Sequence, residues 1–159
     1  MPELVRLHLD HAPAVLAFER ENRTYFAASV PDRGDDYFAN FDERHRALLE
    51  EQDAGVCRFH LLMDDGEVLG RVNLFDLADG CAELGFRIAE KAAGRGLATK
   101  AVAEVCALAV EAYGLSSLRA AATLTNAGSR AVLTKAGFTE TGETVLSGQP
   151  GLAYALSLR

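Results

Sequence analysis

Gly94-Arg95-Gly96-Leu97-Ala98-Thr99 sets two glycines and a run of small residues at the start of an apolar helical pattern. Glycine lets the backbone approach a ligand, and the free amides of a helix N-terminus, aided by its dipole, bind phosphate oxygens. Each such interaction is worth roughly 0.3–2 kcal/mol, so a diphosphate could be held without a cluster of lysines. The same glycines would also suit a turn that only aims the helix. No Gly-Lys-Ser/Thr closes the loop, and the dinucleotide pattern Gly-x-Gly-x-x-Gly fails at Thr99, which argues against nucleotide hydrolysis and dinucleotide redox chemistry.

Three further blocks accompany the loop: Glu83-Leu84-Gly85-Phe86-Arg87-Ile88 before it, then Asn126-Ala127-Gly128-Ser129 and Lys135-Ala136-Gly137-Phe138 after it. Together they resemble the GNAT superfamily, in particular its RimJ/RimL-like branch, which acetylates protein N-terminal amines. The close resemblance covers Val68 to Phe138. It implies acetyl-CoA as co-substrate and a cofactor-binding set of Phe86, Ile88, Gly94, Arg95, Gly96, Leu97, Ala98, Thr99 and Asn126. The family's loop begins with Gln or Arg, where this chain has Ala93; the main-chain cradle is kept and that side-chain contact is lost. The resemblance also implies that backbone around Ile88 pairs with the pantetheine arm, between splayed strands whose peptide groups need partners. Arg87 is expected at the surface or facing substrate.

Acetylating an amine requires a neutral nitrogen, so a base must take a proton before attack on the thioester. Glu83 matches the position of a glutamate base in some family members, and strand alternation puts it on one face with Gly85 and Arg87, opposite Leu84, Phe86 and Ile88. It could equally be a plain polar residue of that face; Glu140 and Glu143 are alternatives. Ser129 matches the serine of this branch, whose hydroxyl could protonate or position the departing thiolate, or bond local backbone as first-turn serines do. Many relatives carry a tyrosine acid where this chain has Leu133, which favours Ser129. Asn126 can contact cofactor, cap its helix, or both. A backbone amide near Ile88 could stabilise the oxyanion.

The chain has 159 residues, a net charge of −7 and a pI near 5.1. That balance disfavours a direct nucleic-acid binder, which needs a basic surface, and suits a basic or amine substrate. Cys57, Cys81 and Cys106 lack metal or redox spacing and read as buried reduced thiols; His8, His11, His45 and His60 form no metal motif, so no metal is implied. Neither a membrane span nor a signal pattern is present, and the cytoplasm is the expected location.

The elements that must position these residues follow from periodicity. Glu3–Leu9 alternates as a strand; Asp10 is placed to cap a helix over His11–Asn22 that buries Val15, Leu16 and Phe18. Pro31–Asp36 breaks the chain before a helical stretch holding Tyr37, Phe38, Phe41, His45, Leu48 and Leu49. Val56–Met63 and Val68–Leu77 form a hairpin about Asp64-Asp65-Gly66. A strand over Cys81–Ile88, a helix over Leu97–Tyr113, a strand over Leu118–Leu124, a helix over Ala127–Ala136 and strands over Phe138–Val145 and Leu152–Leu158 complete the order. This order predicts an α/β (α+β) fold with a mixed sheet covered by helices, and the resemblance implies a GNAT fold, its sheet mostly antiparallel, in one N-acetyltransferase domain spanning 1–159. The acceptor is expected to be a protein N-terminal amine; a small-molecule amine, or a non-catalytic acyl-CoA sensor, is the alternative. Residues Thr24–Asp53 and the C-terminal loop would choose the acceptor, and a homodimer is a family-level expectation.

Overall fold

The computed structural model describes residues 1–158; Arg159, the last residue of the expected domain, lies outside them. Seven strands, β1 (Glu3–Arg6), β2 (Arg58–Asp64), β3 (Glu67–Ala78), β4 (Cys81–Ile88), β5 (Ser117–Thr123), β6 (Thr139–Leu146) and β7 (Gln149–Ser157), form one sheet in the order β1-β2-β3-β4-β5-β7-β6. Among the described residues only β4 and β5 pair in parallel. This is the mixed, mostly antiparallel α+β architecture expected. The β2–β3 turn uses Asp65 and Gly66, both at positive φ (53° and 78°), as a twist-matched two-residue hairpin turn requires.

The helices are α1 (Ala12–Glu21), α2 (Arg23–Ala27), α3 (Asp35–Ala39), α4 (Phe41–Asp53), α5 (Leu97–Glu111) and α6 (Ala127–Lys135). Alternation along the strands divides them between two faces. Arg71 of β3 points to α1, where it meets Glu19. His60 of β2 points to the opposite face, where it meets Tyr113 just beyond α5. The core between sheet and helices includes Val15, Phe18, Phe59, Val72, Leu74, Val102, Val105 and Leu118, each nearly or fully buried. His60 belongs to that core. A carbonyl can only accept, so Nδ1–H donates to Val72 O at 3.0 Å and Nε2 accepts from the Tyr113 hydroxyl at 2.6 Å. Burial pushes its pKa down to about 4, with Arg6 and Arg58 adding repulsion.

Several local expectations are corrected. The first strand stops at Arg6, because Leu7 turns inward and only its N–H continues the pairing, to Phe59 O at 3.0 Å. Asp10 does not cap α1: Leu9–His11 forms a 3₁₀ turn, with His11 at the N-cap and no side-chain bond there. The helix over Tyr37–Leu49 is broken at Asn40 (φ −113°), whose side chain bonds back to Asp36, so α3 and α4 stand in place of one helix. Of the cysteines only Cys57 is buried; Cys81 and Cys106 are half-buried, and all three are unbridged.

Candidate active site

The parallel pairing of β4 with β5 is short. It joins Cys81, Ala82 and Glu83 to Ser117, Leu118 and Arg119 and stops there, although β4 runs on to Ile88 and β5 to Thr123. Each strand keeps its other neighbour: β4 stays paired with β3 as far as Ile88, and β5 with β7 as far as Thr123. The two halves of the sheet therefore part along the line after Glu83. Ala89 N–H donates to Leu69 O at 2.8 Å. Antiparallel hydrogen bonding alternates residue by residue, so the peptide groups of Ile88 and Phe86 turn away from β3 and toward the opening. They are polar groups on an open strand edge, and an extended amide-bearing ligand fits them.

At the end of β4 the chain passes through a single 3₁₀ turn, Glu90–Ala92, into the glycine loop. Gly94 and Gly96 both sit at φ +74°, and Gly96 is the left-handed N-cap of α5. A Cβ at either position would meet nothing within 4 Å. Backbone conformation rather than crowding therefore demands glycine here, since left-handed geometry costs a side-chain-bearing residue about 1–2 kcal/mol. The first backbone bond in the turn is Lys100 N–H to Gly96 O at 3.1 Å. Among the described residues, no protein group accepts from the amides of Gly94 to Thr99. This cluster of unpaired donors at a helix start suits a diphosphate.

Loop and opening share one cavity of about 390 Å³. Of the residues predicted from sequence, Phe86, Ile88, Gly94, Gly96, Leu97, Ala98, Thr99, Asn126 and Ser129 line it. Arg95 is exposed outside its wall, and Glu83 lies half-buried on β4, also off the wall. Asn126 caps α6, its Oδ1 accepting from Ser129 N–H at 3.2 Å. The Ser129 hydroxyl makes no hydrogen bond among the described residues, leaving it free to face a ligand. Leu133 is buried in the core. Glu140 and Glu143 lie exposed on β6, away from the cavity. Tyr25, Phe26, Ser29 and Val30, from α2 and the turn after it, also line the cavity, and Lys135 adds a cation to its wall.

Arg87 also lines the cavity. Its Nη1 donates to Glu19 Oε1 at 3.1 Å, and its guanidinium carbon lies over the Phe26 ring, 4.6 Å from the ring centre. Glu19, 1% exposed, receives two more arginines: Arg33 on both oxygens at 2.9 and 3.2 Å, and Arg71 at 2.8 Å. Burial works against the Glu19 charge, but the Arg33 hydrogen bonds and the three cations outweigh it and hold the carboxyl below its ordinary value.

The sequence profile of the acetyltransferase (GNAT) domain matches residues 3–139. The chain belongs to the GNAT acetyltransferase family. It is 29% identical over 144 residues to the probable N-acetyltransferase YjcK of Bacillus subtilis (strain 168), covering 86% of this chain and 79% of that protein. Its fold superimposes on the ribosomal-protein-S5-alanine acetyltransferase of Vibrio fischeri with a TM-score of 0.92 at 18% identity, covering 98% and 92% of the two chains. On Mycobacterium smegmatis RimJ, solved in complex with a CoA-disulfide, the TM-score is 0.87 at 23% identity, covering 97% and 80%. This acetyltransferase is thus an acetyl-CoA-dependent N-acetyltransferase, and the unpaired amides and open strand edge fit that co-substrate. Among the described residues no cluster of His, Cys, Asp or Glu could hold a metal ion, and no helix is long and apolar enough to cross a membrane.

Sequence reasoning missed the Glu19 cluster, and it reached Tyr25, Phe26, Ser29 and Val30 only as part of the broad acceptor-choosing region Thr24–Asp53. One signal was available for the cluster. Val15, Phe18, Glu19 and Asn22 fall at i, i+3, i+4 and i+7, so a glutamate and an asparagine occupy the buried stripe of α1, and all four are buried. A charge on such a stripe needs partners.

Proposed function

We propose that this acetyltransferase passes the acetyl group of acetyl-CoA directly to a primary amine, with a protein N-terminal amine as acceptor, and that the chain works as one domain. The observation that carries the reading is the parting of β4 from β5 beside the unpaired amides of Gly94 to Thr99. It supports a co-substrate lying with its diphosphate at α5 and its thioester end between the strands. The likeness in fold to ribosomal-protein N-acetyltransferases supports the choice of acceptor.

In this reading the Gly94, Gly96, Leu97, Ala98 and Thr99 amides hold the diphosphate, and Lys135 offers a further cation for phosphate. Arg95 and Asn126 border this end. The Phe86 and Ile88 peptide groups hold the pantetheine arm, and the Ile88 N–H serves the carbonyl oxygen as negative charge develops on it. Glu83, off the cavity wall, takes the ammonium proton through water. Ser129, with its hydroxyl uncommitted, protonates or positions the departing thiolate. No acyl-enzyme is involved; the amine nitrogen forms the new C–N bond as the C–S bond breaks. The chain acts in the cytoplasm and pairs as a homodimer.

The test is thiol release from acetyl-CoA with a panel of N-terminal peptides and, in parallel, spermidine, with products read by mass spectrometry. Acetylation at the peptide α-amine is expected. Turnover of spermidine alone would move the acceptor to small amines, and binding of acetyl-CoA without turnover of any amine would leave a sensor.

A further inference from the structure

The charge beside the cavity does not balance. Glu19 is one carboxylate facing Arg33, Arg71 and Arg87, which leaves two positive charges in excess. Arg23, across the small recess that Glu19, Arg33 and Arg87 also line, is committed to Asp32 and Asp35 at 2.8 Å each, so the set as a whole stays positive. A carboxylate has fewer acceptor sites than three guanidiniums have donors, and the shortage is visible: Arg71, 4% exposed, keeps Nε without a hydrogen-bond partner. Arg87 uses only Nη1 on the protein among the described residues. Burial, and repulsion by Arg33 and Arg71, work against the Arg87 charge, and Glu19 offsets them only in part.

Arg87 is the member of the cluster that reaches the main cavity, and Phe26 holds its guanidinium over the ring. The surplus is thus displayed on the wall of the cavity, in a chain whose overall charge is −7. Resting on the acceptor reading above, we propose that Arg87, held by Glu19 and backed by Arg33 and Arg71, anchors an anionic group on the acceptor, so that the preferred amine neighbours a carboxylate, as in a peptide with an acidic residue just after its N-terminus. The same field repels polyamines, and it disfavours the ammonium form of the amine that must lose its proton.

The experiment compares kcat/KM for three N-terminal peptides that differ only in carrying aspartate, asparagine or lysine after the first residue, with spermidine as a fourth acceptor, for wild type and Arg87→Gln. Wild type is expected to prefer the aspartate peptide to the lysine peptide by at least about tenfold, to lose part of that preference as salt rises, and to lose most of it in Arg87→Gln. Peptide turnover with no acidic preference, or a preference for lysine or spermidine, overturns the anion anchor while leaving acetyl transfer intact. Equilibrium binding of the three peptides to the acetyl-CoA-loaded protein is measured alongside. If no amine turns over, the acceptor reading fails by itself; tighter binding of the aspartate peptide, lost in Arg87→Gln, then still supports the anchor, and equal binding of all three overturns it. Arg87→Lys, which keeps charge without the planar fork, should retain more of the preference than Gln.

Discussion

The side-chain oxygen of Asn22, the residue that ends α1, accepts the backbone N–H of Glu90 at 3.0 Å, while its Nδ2 donates to Phe18 O at 2.9 Å. One buried amide thereby ties the helix on one face of the sheet to the chain leaving β4, four residues before the glycine loop. Asn22→Ala should leave that N–H without a partner and cost about 1–3 kcal/mol in urea unfolding, and it should weaken acetyl-CoA binding by letting the loop entry drift. A stability change below about 0.5 kcal/mol with unaltered binding would show that the tie is incidental.

Replacing Glu19 by glutamine removes the acidic partner that Arg33, Arg71 and Arg87 share. Uncompensated buried charge typically costs about 3–5 kcal/mol, and Arg71, 4% exposed, is nearly as deeply buried as Glu19. Glu19→Gln should therefore fall at the severe end of single substitutions by urea titration, and adding Arg71→Met should recover part of the loss. Equal stability of wild type and Glu19→Gln would contradict the cluster's charge balance.

Ser129→Ala should lower kcat roughly tenfold to a hundredfold and leave acetyl-CoA affinity unchanged, because the Asn126 cap uses the Ser129 backbone N–H and not its hydroxyl. A loss confined to KM would assign the hydroxyl to binding. Glu83→Gln should lower kcat most at low pH, where little free amine exists and proton removal limits the reaction.

Buried His60 makes stability depend on pH. Its folded pKa is about 4, against an ordinary 6.5, so between those values the unfolded chain binds the extra proton and stability falls as pH drops from 6.5 toward 4. The full effect is about 3 kcal/mol, and Glu19, with its lowered pKa, adds a loss in the same direction below about pH 4.5. Thermal melts from pH 7 to 4 should show the decline, and His60→Leu should flatten its upper part even at lower overall stability. An unchanged slope in the variant would assign the decline elsewhere.

Much of the fold was legible because its signals are local. Alternation set Cys81–Ile88 as a strand at its observed limits, Asp65-Gly66 specified a turn that needs two positive φ angles, and the glycines at 94 and 96 marked the left-handed entry to α5. The shape of the glycine loop came through for the same reason, since left-handed backbone at a helix start is a local signal that does not depend on distant partners. What escaped depends on tertiary contacts. Arg87 is polar by type and Arg71 sits inside an apolar strand, and nothing in their spacing brings either to Glu19, which is 68 and 52 residues away in sequence, respectively. The 3₁₀ turn at Leu9–His11 displaced the Asp10 cap because Leu7 is drawn into the core. Glu83 sits on the strand face predicted for it but off the cavity wall, a distinction that strand period cannot make.

The most direct test is a residue-resolved one: ¹⁵N–¹H correlation spectra of the chain titrated with acetyl-CoA, with Gly96→Glu as control. The amides of Gly94, Gly96, Leu97, Ala98 and Thr99 should shift together with those of Phe86 and Ile88, saturating at one ligand per chain, and the glutamate variant should abolish the response by setting a carboxylate against the diphosphate. Saturable binding that shifts other amides and spares the loop and the β4 edge would contradict the account.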